Sequence, residues 1–112
     1  MNLSDYVLKF LKQKKIKNVF LITGGAISFM IDSFSRTKGI KYTCVAHEQA
    51  AAMMADSYSR LGPNLSCTMV TSGPGATNLI TGIACSWFDS IPAIHITGQV
   101  NSYEKQGAQK GT

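Results

Sequence analysis

Ser66-Cys67-Thr68-Met69-Val70-Thr71, followed by Ser72-Gly73-Pro74-Gly75 and then Ala76-Thr77-Asn78, is the stretch that decides the fold. The first six residues read as a short strand with an apolar centre. The next four form a tight turn, with Pro74 placed to enter a helix. That helix is expected over residues 76–88. Strand, glycine turn and helix in this order make half of a parallel β-α-β unit.

The same grammar extends in both directions. Upstream, residues 40–46 read as a strand. Residues 47–61 read as an Ala- and Met-rich helix stopped by Gly62-Pro63. Before them, residues 18–22 form a short apolar strand that ends at Thr23-Gly24-Gly25, and residues 26–34 form a helix. The chain opens with a helix in which Ser4 is the expected N-cap and Leu3, Val7, Phe10 and Leu11 recur at helical spacing. Downstream, residues 93–97 form a fourth strand that ends at Gly98, and the polar tail after Val100 reads as a loop. Alternating helices and short apolar strands predict an α/β fold, an open parallel sheet with helices on both faces. Ligands of such sheets sit at the carboxyl ends of the strands. Thr23-Gly24-Gly25, His47-Glu48, Thr71 to Asn78 and Gly98-Gln99 should therefore share one edge.

Bulk properties narrow the classes. The chain has 112 residues, 45% of them apolar, which suits one packed domain rather than disorder. Its formal charge of +5 is concentrated in Lys9, Lys12, Lys14, Lys15 and Lys17. Phe10 is the one aromatic among these lysines and belongs to the apolar helical stripe with Val7 and Leu11, so a solvated helix end is a better reading than a nucleic-acid surface. No apolar stretch approaches membrane-spanning length and no signal peptide opens the chain, which implies a cytoplasmic protein. Cys44, Cys67 and Cys85 lack C-x-x-C spacing and lie in apolar contexts, so three buried, reduced thiols are expected.

Several sharper motifs fail on inspection. Gly73-Pro74-Gly75-Ala76-Thr77-Asn78 has Asn78 where the dinucleotide fingerprint requires its third glycine, and no acidic residue stands about 20 residues on. No Gly-Lys-Ser/Thr makes a phosphate-binding P-loop. His47-Glu48 lacks the second histidine of a zinc motif, because position 51 is Ala. His95, alone in a strand, reads as a satisfied core histidine. No metal ligand set is expected. Glu48 has two readings: a first-turn glutamate favoured by the helix dipole, or a carboxylate entering an apolar pocket among Val45, Ala46 and Ala50 to Met54. Spacing alone favours the first. A buried carboxylate is costly unless something pairs with it.

Thr23-Gly24-Gly25-Ala26, His47-Glu48-Gln49-Ala50-Ala51, Thr71 to Asn78, Asp89-Ser90-Ile91-Pro92 and Ile96-Thr97-Gly98-Gln99-Val100 occur in order. Together they resemble the N-terminal pyrimidine-binding domain of thiamine-diphosphate-dependent enzymes, most of all the acetolactate synthase large subunit and acetolactate-synthase-like proteins. The resemblance runs from about residue 3 to about residue 100. It implies thiamine diphosphate as cofactor, with Glu48 catalytic: its carboxylate would hydrogen-bond N1′ of the aminopyrimidine and promote the imino tautomer. The imino nitrogen would then remove the thiazolium C2 proton. The resulting ylide would decarboxylate a 2-oxoacid such as pyruvate and pass the remainder to a second carbonyl acceptor. Gly24, Gly25, Ala26, Thr71, Gly75 and Asn78 match residues that line the pyrimidine pocket, and Ser90 matches a residue that touches FAD, an optional second cofactor.

The resemblance further implies that residues 1–112 are the N-terminal part of this domain, incomplete at its C-terminus and inactive alone. Mg²⁺ and the diphosphate would be held by a domain not in this chain, since no Gly-Asp-Gly occurs. The site would form between subunits of a homodimer or homotetramer. Three departures leave the acceptor open: Thr23 in place of a common Pro, Asn101 in place of another, and no Phe-Gln-Glu segment. A simple 2-oxoacid decarboxylase shares every motif quoted. A non-catalytic module of the same fold is a further alternative, against which Glu48 argues.

Overall fold

The computed structural model describes residues 1–104. Helix α1 spans Leu3–Gln13, strand β1 Asn18–Leu21, a 3-10 turn Gly25–Ile27, and α2 Ser28–Ser33. Strand β2 spans Lys41–Cys44, α3 Glu48–Arg60, β3 Ser66–Val70, α4 Pro74–Thr77, α5 Ile80–Phe88 and β4 Ala93–Thr97. The expected loop after Val100 begins with a helical turn at residues 102–104, and the rest of it lies outside the described residues.

Two helices differ from expectation. The N-cap of α1 is Asn2, not Ser4: its side chain accepts from the Asp5 N–H at 2.9 Å, and the Asp5 carboxylate accepts from the Asn2 N–H at 3.5 Å. This reciprocal box satisfies two otherwise orphaned donors. The helix expected over 76–88 is split into α4 and α5, with Asn78 as the C-cap of α4 and Leu79 leading into α5.

All strand pairs are parallel, in the order β2-β1-β3-β4. Leu21 lies opposite both Cys44 and Met69, and Val70 lies opposite Thr97, so the four carboxyl ends are level. From β1 the chain crosses to β2 on one side, then returns past β1 to β3 on the other. The topological switch point therefore falls between β1 and β3, where open parallel sheets bind ligands.

Helices cover both faces, as expected. On one, Leu8, Leu11 and Ile16 pack with Val19, Leu21, Cys67 and Met69. Each large aliphatic side chain fully buried there contributes about 1.5–3 kcal/mol. On the other, Phe20 meets Ala51 and Ala55 of α3, and Val70 meets Ala52 and Leu79. Small residues set that spacing: a Cβ built on Gly82 of α5 would lie 2.2 Å from the Ala52 Cβ. His95 is half-buried and shares a 2.7 Å hydrogen bond with Thr68 Oγ1 through Nδ1, while burial holds its pKa below the ordinary imidazole value.

The expectation of three buried thiols is corrected. Only Cys67 is buried, which pushes its pKa up to about 12, whereas Cys44 and Cys85 are exposed. Cys44 sits on an edge strand. Cys85 sits on the outer side of α5, whose buried residues are Gly82 and Ser86.

Candidate functional site

The loops that follow β1 and β3 touch at the switch point. Gly24 has no room for a side chain, since its Cβ would stand 2.6 Å from the Thr71 Cβ and 3.0 Å from Oγ1. Its φ of −171° is ordinary extended backbone, so space and not conformation demands the glycine. Gly73 is different: at φ +63° it occupies the left-handed region, which turns the chain from β3 into Pro74 at the head of α4. Gly98, after β4, joins the same edge by donating to the Val70 carbonyl at 2.9 Å, and Ala26 packs against it.

Glu48 is the first residue of α3. His47 precedes it as N-cap, its Nδ1 accepting from the Gln49 N–H at 3.1 Å. The helix dipole favours a carboxylate at this position, as the simpler sequence reading held. Two further observations exceed that reading. Asn78 Nδ2, thirty residues away in sequence, donates to Glu48 Oε1 at 3.3 Å. Glu48 Oε2 is buried and has no hydrogen-bond partner among the described residues. A solvated first-turn glutamate would show neither, and a buried unsatisfied oxygen of this kind costs on the order of 1–3 kcal/mol. Its presence at the carboxyl edge fits a ligand that brings a hydrogen-bonding group to Oε2.

At the same carboxyl edge lies a cavity of about 420 Å³, lined among others by Gly25, Ala26, Phe29, Thr71, Gln99 and Asn101. Neither Glu48 nor Asn78 borders it; Thr71 lines it and also lies against Gly24 and Gly75. Phe29, which is 78% exposed, is a lining residue that sequence reasoning missed, as is Glu104. An aromatic two residues beyond the last residue of a Gly-Gly-Ala-Ile turn was the available signal.

The structure thus gathers Gly24, Gly25, Ala26, Glu48, Thr71, Gly75 and Asn78 at one edge. Ser90 is not among them. It lies between α5 and β4, at the edge where the strands begin, with φ 56°. Beside it Arg60 bridges Asp56 and Asp89, and Ser86 Oγ donates to Asp56 at 2.8 Å. The Arg60 guanidinium, then the Ser86 hydroxyl, hold the Asp56 pKa below the usual carboxylate value against the opposing effect of burial. This network ties α3 to the end of α5 and has no access to the carboxyl edge. Among the described residues no cluster of three or more His, Cys, Asp or Glu could hold a metal, and no helix is long and apolar enough to cross a membrane.

Comparison with known proteins gives the site its context. The family model described as "Thiamine pyrophosphate enzyme, N-terminal TPP binding domain" matches residues 1–112. The acetolactate synthase large subunit of Buchnera aphidicola subsp. Acyrthosiphon pisum (strain APS) is 46% identical over 99 residues, which cover 88% of this chain and 17% of that protein. The corresponding subunit of Haemophilus influenzae is 43% identical over 99 residues, with the same coverage. The isozyme 3 large subunit of Escherichia coli (strain K12) is 43% identical over 97 residues, covering 87% of this chain and 17% of that protein. The chain therefore spans about a sixth of the length of the curated relatives it matches.

Proposed function

The chain belongs to the family of N-terminal TPP-binding domains of thiamine pyrophosphate enzymes, and on that premise we propose that it forms the pyrimidine-recognising part of an acetolactate-synthase-like enzyme. The reaction would be decarboxylation of a pyruvate-like 2-oxoacid and carboligation to a second carbonyl acceptor. One observation carries the reading: at the carboxyl edge of the sheet, Glu48 Oε2 is buried and unpartnered among the described residues. When bound, thiamine diphosphate supplies a thiazolium carbon that can add to the keto carbon of such substrates.

This chain's residues would manage the proton and the approach. Glu48 Oε2 would hydrogen-bond N1′ of the aminopyrimidine and hold or release a proton there, acting as a general acid–base group. Gly24, Gly25, Ala26, Thr71 and Gly75 would form the wall against the ring. Asn78 would complete the lining where α4 ends. Ala52, Val70 and Leu79, all fully buried, pack beneath that end of the site and keep water out. Mg²⁺ and the diphosphate would be held by a domain outside this chain, in a cytoplasmic homodimer or homotetramer. Ser90, at the other edge, would act only through FAD.

The test is Glu48→Gln in the full-length protein, read by exchange of the cofactor's C2 proton for deuterium. Gln keeps the size of the side chain but cannot exchange a carboxylate proton. Exchange should slow by about 10² to 10⁴, with little change in thermal stability. Exchange at the wild-type rate would reduce Glu48 to a helix-start residue and remove the catalytic assignment. Acetolactate rather than acetaldehyde as the product from pyruvate would mark carboligation.

A further inference from the structure

We infer that Asn78 is a positioning residue: its side-chain amide fixes the Glu48 carboxylate so that Oε2, and not Oε1, is presented to the incoming ring nitrogen. The inference rests on the reading of Glu48 given above and adds a division of labour between the two carboxylate oxygens.

The geometry assigns each oxygen a different state. Oε1 receives Asn78 Nδ2 at 3.3 Å. Oε2 is buried and receives nothing among the described residues. A carboxylate turns readily about its last side-chain bond, which is broad and roughly two-fold. Without a donor on one side, either oxygen could take the inner position, or the group could turn out to water. A donor on Oε1 breaks that equivalence.

Asn78 suits the task because its own backbone is fixed on both sides. It caps α4 at φ −69° and ψ −11°, and its N–H donates to the Pro74 carbonyl at 2.9 Å. The next residue, Leu79, is fully buried against Ala52 and Val70. Ala52 lies one helical turn beyond Glu48 on α3, so the contact that locks Leu79 also sets the distance between the amide and the carboxylate. Asn78 falls between α4 and α5, and from there its side chain reaches the first residue of α3.

A double-mutant cycle between Glu48→Ala, which removes the acceptor, and Asn78→Ala in the full-length protein tests the inference. Two readouts are taken: the rate of C2 proton exchange in bound thiamine diphosphate, and the Kd for thiamine diphosphate by calorimetry, which needs no turnover. Asn78→Ala should slow exchange roughly tenfold, the value of one hydrogen bond to a charged group, and weaken binding by a few-fold. In the Glu48→Ala background the same change should alter neither quantity further. Asn78→Leu keeps the approximate size and loses the donor without adding charge, so it must reproduce the loss if Asn78→Ala proves unstable.

Equal losses from Asn78→Ala in both backgrounds would show that Asn78 acts on the cofactor independently of Glu48, and would overturn the inference while leaving the function intact. Wild-type exchange and Kd in both folded Asn78 variants would also overturn it. Wild-type exchange in Glu48→Gln alone would overturn the functional reading, and the role of Asn78 with it.

Discussion

Replacing Gly24 by Ala is the smallest change that should separate the two loops at the switch point. A methyl group at Gly24 would meet three atoms of Thr71 at 2.6, 3.0 and 3.2 Å. Ordinary contact begins at 3.4 Å, so the closest pair must part by about 0.8 Å. Neither carbon can turn away, because both are Cβ atoms fixed to the backbone of loops that leave adjacent strands. Overpacking of this kind costs about 1–3 kcal/mol, against about 0.4–1 kcal/mol gained by restricting the unfolded chain. The net effect is destabilising. The functional effect should be larger, since a displacement near 1 Å in a positioned site can cost as much as about 10²-fold. We expect Gly24→Ala in the full-length protein to lower the melting temperature and to weaken thiamine diphosphate binding at least tenfold, measured by calorimetry. Thr71→Gly in the same chain removes the opposing Cβ and should recover most of the stability. Gly25→Ala is the control for stability, because a Cβ there meets nothing within 4 Å. Wild-type melting and affinity in Gly24→Ala would refute the claim that close approach is what requires glycine at this position.

Two further outcomes follow from the packing of α3. Asp56→Asn should destabilise the protein by about 1–2 kcal/mol, less than a fully buried pair because Arg60 is almost half exposed. Since Arg60 and Ser86 hold the folded-state pKa of Asp56 down, its contribution is present above the unfolded value near 4 and is lost as pH falls through the folded value. Acid unfolding followed by circular dichroism should therefore be less steep in the variant. Gly82→Ala should lower the melting temperature despite better helix propensity, because the gain of about 1 kcal/mol cannot offset a Cβ placed 2.2 Å from that of Ala52. A raised melting temperature would show that α5 can move off α3 at little cost.

The alternation of elements and the edge at which the candidate site residues gather were legible in the sequence, because period and punctuation are local. Gly62-Pro63 stopped α3, Gly73 and Pro74 made the turn, and each strand came within a residue or two of its place. Strand order was not legible: nothing between residues 21 and 66 says on which side of β1 the chain returns, and that choice creates the switch point. Helix α5 misled the sequence reading for a physical reason. It exposes Ile80, Trp87 and Phe88 and buries Gly82 and Ser86, so a rule that sends large apolar residues inward assigns Cys85 to the core. The helix break at Asn78 was hidden as well, since Ala76 to Leu79 contains no residue that forbids a continuous helix. Spacing could not tell the two readings of Glu48 apart, since the burial of Oε2 and the bond from Asn78, thirty positions away, to Oε1 are tertiary features.

The pairing of Glu48 with Asn78 raises a geometric question, because the two follow strands that are not neighbours. Glu48 follows β2 at the edge of the sheet, and Asn78 follows β3 beyond β1. Helix α3 closes the gap by lying across β1 and β3. It lies close because the residues it turns inward are Ala51, Ala52 and Ala55, all fully buried, with Gly82 of α5 opposite Ala52. Bulkier residues at those positions would lift the helix from the sheet and carry its first residue away from Asn78. An Ala-rich stretch has little hydrophobic signal and no chemistry of its own, yet here it brings the carboxylate of Glu48 within 3.3 Å of the Asn78 amide. The small residues of α3 thus belong to the site as much as the carboxylate does: they determine where it can stand.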